Sequence, residues 1–184
     1  MKTFFTADWH LGHEDIIKFC DRPFANAEEM DREIVAKCND IVGKNDRLIM
    51  LGDFTMRPMP ELHKYIESIK CGNIILVLGN HDHKGRMKNF FKIYDIFETR
   101  NPHIVCCHYA MATWNKSHRG SYHVYGHSHS GAEEYLDKVF PGRRSMDVGV
   151  DNIAKIKGEY RPISVDEVVE ILSERPGVWF DGRS

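Results

Sequence analysis

Apolar positions in this chain come in short continuous blocks, each closed by a glycine or a polar residue. Ile74 to Leu78 is five apolar residues in a row, followed by Gly79-Asn80-His81-Asp82. Such a run predicts a strand covered on both faces. Arg47 to Leu51 repeats the arrangement and leads into Gly52-Asp53-Phe54, and Lys2 to Thr6 leads into Ala7-Asp8-Trp9-His10. Between these blocks the period changes. Met30, Ile34, Cys38, Ile41 and Val42 form a stripe at helical spacing. Asn26 opens that helix with Glu29 in the capping-box position, and Gly43 ends it. A second helix is predicted from Pro60 to Ile69, and Ile16 to Cys20 is a short turn broken by Asp21-Arg22-Pro23-Phe24. Three strand-to-helix passages in succession imply parallel strands joined by helical crossovers.

The second half is less helical. Arg86 to Phe91 suggests a short helix, and Ile93 to Phe97 is ambiguous. His103 to Cys107, Tyr122 to Tyr125 and Ser145 to Val150 are strands with small turns between them, which points to a second, partly antiparallel sheet. Ser164 caps a last helix, with Glu167 in the capping-box position and Val165, Val168, Val169 and Leu172 on its apolar face. The tail from Arg175 is read as irregular. With no repeat, low-complexity tract or linker, residues 1–184 are expected to be one domain without a cap domain.

Composition alters this picture little. Of 184 residues, 42% are hydrophobic and 28% charged, and the net charge of -2 gives no whole-protein attraction to nucleic acid or anionic membranes. No apolar run has the roughly 20 residues that span a bilayer. Asp8 stands too early for a signal peptide. Five cysteines without CxxC spacing fit buried thiols in a reducing cytoplasm. The eleven histidines are the unusual number, and their positions are not scattered.

Five predicted strand ends carry groups able to bind a metal: Asp8 with His10, Asp53, Asn80, His108, and His127 with His129. Singly, each has a structural explanation. Asp53 caps a helix, Asn80 forms an Asx turn, and His108 is a satisfied half-buried imidazole. Together they offer two carboxylates, one amide oxygen and four imidazoles. That is too many for one tetrahedral ion and suits two ions sharing a carboxylate. A nitrogen and oxygen set without thiolate fits Mn, Fe, Ni or Zn better than Mg or Ca. Such a pair of ions clamps a phosphoryl group and generates hydroxide near neutral pH. Gly126-His127-Ser128-His129-Ser130 lacks the last glycine of a serine-hydrolase elbow, and His10 to Glu14 has neither zincin order.

In order, Asp8-x-His10, Gly52-Asp53, Gly79-Asn80-His81-Asp82, His108 and Gly126-His127-x-His129 resemble the five signature blocks of the calcineurin-like metallophosphoesterase superfamily. Thr6 to His13, Arg22-Pro23-Phe24 and Asp147 to Asp151 look like a compact bacterial and phage branch. The resemblance implies an α/β fold of two stacked mixed β-sheets flanked by helices, in four layers. It implies that Asp8, His10 and His129 hold one metal, that Asn80, His108 and His127 hold the other, and that Asp53 bridges. It implies that His81 does not ligate but meets the phosphate and protonates the leaving oxygen. The block Gly52 to Arg57 departs from the GDxVDRG of the protein-phosphatase branch, which disfavours that activity and leaves the orientation of His81 open. His13 and Arg22 are the first candidates for phosphate contact, ahead of Arg57 and Arg86.

The expected function is hydrolysis of phosphoesters by metal-bound hydroxide, with diesters, including nucleotides or nucleic-acid ends, favoured over monoesters. No membrane and no obligatory protein partner is expected. The alternatives are a nuclease, with Arg143, Arg144, Lys155 and Lys157 as part of a basic patch, and a non-catalytic scaffold of the same fold.

Overall fold

The computed structural model describes residues 1–58 and 61–177. Two mixed sheets lie face to face with helices on their outer sides. In the first, β1 (Thr3–Thr6), β2 (Arg47–Met50), β3 (Ile74–Val77) and β4 (Lys92–Tyr94) run parallel. A two-residue strand, β9 (Ile163–Ser164), closes the other edge antiparallel to β1. The order is β4-β3-β2-β1-β9. The second sheet has the order β5-β6-β7-β8, from β5 (Ile96–Glu98), β6 (Ile104–Cys107), β7 (Tyr122–Tyr125) and β8 (Ser145–Asp147), with only β5 antiparallel to its neighbour.

The two-residue period of a strand explains why the apolar blocks are continuous. Phe4, Leu48, Met50 and Leu76 point outward, into a core shared with Met30, Ile34 and Cys38 of α2 (Ala27–Ile41) and Leu62 of α3 (Glu61–Ser68). Phe5, Ile49, Ile75 and Val77 point inward, against Ile104, Cys106, Val124 and Met146 of the second sheet. Ile153 of α6 (Val150–Lys157) and Val168 and Leu172 of α7 (Val165–Ser173) join that inner core.

Several boundaries differ from expectation, each for a local reason. The segment Ile93 to Phe97 divides between the sheets: β4 ends at Tyr94, β5 begins at Ile96, and Asp95 alone connects them. The short helix near Arg86 is α4 (Lys84–Met87). The strand from Ser145 stops at Asp147, because the Asp147 side chain turns back to accept the N–H of Gly149 at 2.6 Å. The short helical turn expected at Ile16 to Cys20 is α1 (Glu14–Phe19), whereas the sequence pattern does not show α6, β9 or α5 (Glu133–Val139), which are short or carry few buried residues. Pro60 and residues 178–184 lie outside the described residues. Among the described residues no helix is long and apolar enough to cross a membrane.

Both predicted N-caps form. The Asn26 side chain accepts from Glu29 N–H at 2.9 Å, although the Glu29 carboxylate reaches Ala25 N–H instead of Asn26. At α7 the box is reciprocal: Ser164 Oγ accepts from Glu167 N–H at 3.2 Å, and Glu167 Oε2 accepts from Ser164 N–H at 2.9 Å.

Arg161 donates to the same carboxylate at 2.7 Å. That bond, helped by the Ser164 N–H, outweighs the penalty of partial burial and holds the Glu167 carboxyl at about 2, from an ordinary 4.5. A depressed carboxyl stabilises the fold above its unfolded value and loses that contribution as pH falls through its folded value. Glu167→Gln is therefore expected to cost about 1 kcal/mol at neutral pH, the size of a helix cap. The difference from the parent protein should shrink between about pH 4.5 and about pH 2. Urea unfolding across that range measures it, and a difference constant with pH would contradict the assignment.

Candidate metal centre

The parallel strands of both sheets run out at one seam. Ala7 pairs with Gly149 in an isolated parallel bridge, Asp8 N–H donates to Gly52 O at 3.0 Å, and Gly126 N–H donates to His108 O at 3.0 Å. Glycine makes this approach feasible. Gly52 has φ +91°, and a Cβ there would lie 2.6 Å from Gly79 N and from His108 Nδ1.

The polar residues that follow adopt an unusual backbone. Asp8, His10, Asp53, His127 and His129 all have φ between +46° and +69°. Side chains rarely occupy this left-handed region, and each such residue costs on the order of 1–3 kcal/mol. Two carboxylates, half-buried Asp82 and buried Asp147, fasten the loops. Asp82 accepts the N–H groups of Gly79, Asp53 and Phe54 at 2.9, 2.9 and 3.2 Å. Asp147 accepts from Ser130 N–H at 3.0 Å and from Ser128 Oγ at 2.9 Å.

The loops bring together two groups of donors. Asp8, His10 and His129 form one, and Asp53, His108 and His127 the other, with the ligating atoms of each within 4.8 Å of one another. Asn80 joins the second: its Oδ1 lies 3.1 Å from His108 Nε2 and 3.0 Å from His127 Nδ1. Asp53 Oδ2 stands between the groups, 3.6 Å from His10 Nε2 and 3.5 Å from His108 Nε2.

This arrangement fits metal ions on its own chemistry. His108 Nδ1 lies 2.7 Å from Leu51 O, so in the neutral imidazole the proton is on Nδ1 and Nε2 is an acceptor. Nε2 then faces Asn80 Oδ1 and Asp53 Oδ2, three lone pairs with no proton between them. In the other group, Asp8 Oδ1 and both ring nitrogens of His10 are buried without a hydrogen-bond partner. Donors bound to one ion at about 2.1 Å stand about 3.0–3.4 Å apart, close to the spacings here.

The charges agree. Burial, then the nearby Asp147, pushes the Asp8 carboxyl well above its ordinary value, and the neighbouring His129 offsets only part of this. Burial, with the neighbouring His129 and Arg22, pushes His10 down to about 2, so it is neutral and able to ligate. Burial opposes a charge on His129, but Asp151, whose Oδ2 lies 2.7 Å from its Nδ1, outweighs this and raises it to about 10. Occupying Nδ1 leaves Nε2 for an ion, whose charge displaces the extra proton.

The sequence-predicted residues divide by location. Asp8, His10, Asp53, Asn80, His108, His127 and His129 converge as described. His81 is exposed on the same rim, its ring 5.5 Å from that of His10, and its N–H donates to Asp53 Oδ1 at 3.0 Å. His13 lies beside His10, ring to ring 5.6 Å, with Nδ1 buried and unpartnered.

Arg22 is a correction. Its side chain is fully buried and forms a two-pronged pair with Asp151 at 2.8 and 2.8 Å. It also donates to Trp9 O and Asp8 O, so none of its donors is left for phosphate. Arg143 is likewise buried, held by Glu133, Asp137 and Ser145, which removes it from any basic nucleic-acid face. The roles of Asp147 and Asp151 escaped the sequence reading. The only signal was their position in the tract Asp147 to Asp151, which resembled the compact branch. Cys20 also lies within 4.8 Å of His129 and Asp151, but Arg22 and His129 already engage both Asp151 oxygens, so this trio supports the site.

Comparison with known proteins agrees with the geometry. The model of the calcineurin-like phosphoesterase superfamily domain matches residues 1–149, and the chain belongs to that superfamily. An uncharacterised protein of Methanocaldococcus jannaschii, MJ1445, is 26% identical over 174 residues, 94% of this chain and 92% of that protein. The crystal structure of AQ665 from Aquifex aeolicus, a protein of unknown function, is similar with a TM-score of 0.72 and 25% identity, covering 92% of this chain and 98% of that one.

Removing one partner of a buried ion pair strands the other. Arg22→Ala is expected to lower the stability of the metal-free protein by about 3–5 kcal/mol in denaturant unfolding. Unchanged stability with a raised KM would instead place Arg22 on the substrate.

Proposed function

We propose that this superfamily member is a two-metal phosphoesterase that prefers phosphodiesters. The observation that carries the reading is Asp53 Oδ2, shared at 3.6 and 3.5 Å between one imidazole from each donor group. Asp8, His10 and His129 hold one ion, Asn80, His108 and His127 the other, and Asp53 both. Two such ions, drawn from Mn, Fe, Ni or Zn by this donor set, supply Lewis acidity and lower the pKa of water near neutral pH.

The protein's own contribution is placement. Leu51 O fixes the His108 tautomer, and Asp151 fixes the His129 ring. The Asp53 carboxylate ties down the backbone of His81, and the exposed imidazole lies ring to ring 5.5 Å from His10. There it donates a proton to the leaving oxygen, a role imidazole fills near neutral pH. His13, ring to ring 5.6 Å from His10, contacts the substrate as well.

Support for diesters comes from the rim. Asn80, His81, Tyr109 and His127 are exposed, which leaves room for a second ester group. The proposed setting is a single-domain cytoplasmic enzyme acting on soluble phosphoesters. Five free cysteines, four of them buried, support a reducing compartment.

Turnover of a generic diester and a generic monoester by metal-loaded and metal-stripped protein tests the reading. The expected result is turnover that requires metal, with the diester ahead. No turnover of either by metal-loaded protein would overturn it. Elemental analysis should find two equivalents of metal, and Asp53→Asn should reduce that content. His81→Ala should lower kcat by roughly 10²–10⁴ while metal content stays near that of the parent protein. Loss of metal together with activity would make His81 a ligand.

A further inference from the structure

Beside the metal centre lies a cleft of about 860 Å³ that the proposed chemistry does not use. It shares His129 with the first donor group, so it begins one ligand away from the proposed site of reaction. Its size is that of a small-molecule site. One wall is apolar and aromatic: Ile16 and Phe19 from α1, and Tyr160 after α6. Phe19 is 77% exposed, unusual for a phenylalanine at the mouth of a cleft.

The polar members of the lining are matched to two further groups. Lys155 Nζ donates to the neutral Ser130 hydroxyl, and no carboxylate pairs with it among the described residues. Its charge is therefore free for an anion. Asp21, on the same cleft, forms no ion pair among the described residues and is exposed with φ +51°. A free carboxylate facing a ligand accepts hydroxyl groups, as acidic residues do for ribose.

We infer that this cleft is a nucleoside subsite. Resting on the diesterase reading, it makes the substrate a nucleotide ester. The phosphate sits at the metal centre, the base stacks on Phe19 and Tyr160, Asp21 accepts the sugar hydroxyls, and Lys155 meets additional phosphate. Every base presents a flat face, so stacking on exposed aromatic rings gives affinity without demanding one sequence.

The test uses full-length, metal-loaded protein and two diesters with the same leaving group: thymidine p-nitrophenyl phosphate and methyl p-nitrophenyl phosphate. The parent protein should favour the nucleoside ester. Phe19→Ala, which removes a stacking ring, and Asp21→Gly, which removes the sugar acceptor at a positive-φ position, should each lower the ratio of the two kcat/KM values, Phe19→Ala by about tenfold. Phe19 is exposed, so its removal leaves no cavity. A ratio unchanged in both variants overturns the subsite.

Calorimetric binding of adenosine monophosphate separates the two readings. If neither diester is turned over but the nucleotide binds, and binds at least tenfold more weakly to Phe19→Ala, the diesterase reading fails and the nucleoside subsite stands. Nucleotide binding that is absent, or equal in parent and variants, rejects the subsite and leaves the aromatic wall to a protein partner.

Discussion

A single carboxylate, Asp8, holds the seam on which this structure depends. It has no exposed surface, and its Oδ2 accepts the His127 N–H at 2.9 Å. A Cβ on Gly126 or on Gly149 would lie 2.6 Å from that same oxygen. The end of β1 in one sheet is thus packed directly against the ends of β7 and β8 in the other. Burying a carboxylate is costly unless its charge is matched. The His127 N–H answers one oxygen, while the other has no partner within the protein. A cation at that position would answer the second, so binding metal and closing the sandwich would draw on the same free energy.

The left-handed residues follow from this constraint. A strand leaving a sheet in extended conformation would send alternate side chains to opposite faces. A residue at positive φ reverses the chain locally and turns consecutive polar groups toward one point. Asp8 and His10, and His127 and His129, do this in pairs. Asp and His tolerate the conformation better than β-branched residues. Asp82, Asp147 and Asp151 then fix the loops through backbone N–H groups and the His129 imidazole.

Much of this was legible in the sequence because it rests on local pattern. Apolar blocks such as Ile74 to Leu78 are continuous because both faces of the strand are covered, and that is visible without coordinates. So were the caps at Asn26 and Ser164. Arg22 was misread because an arginine beside a polar loop looks the same whether it faces phosphate or a buried partner 129 residues away. Asp151 was missed for the same reason. Its importance lies in two long-range contacts, which leave no periodic trace. The division at Asp95 was equally hidden, since the five residues Ile93 to Phe97 fit one strand as well as two.

That single residue constrains how the two halves of the molecule meet. Asp8, His10, Asp53 and Asn80 follow strands of the first sheet, whereas His108, His127 and His129 follow strands of the second. With Tyr94 and Ile96 already committed to different sheets, Asp95 leaves no slack for one half to slide over the other. The donors from the two halves therefore meet at one separation, fixed by the short connection and inherited from the chain's topology.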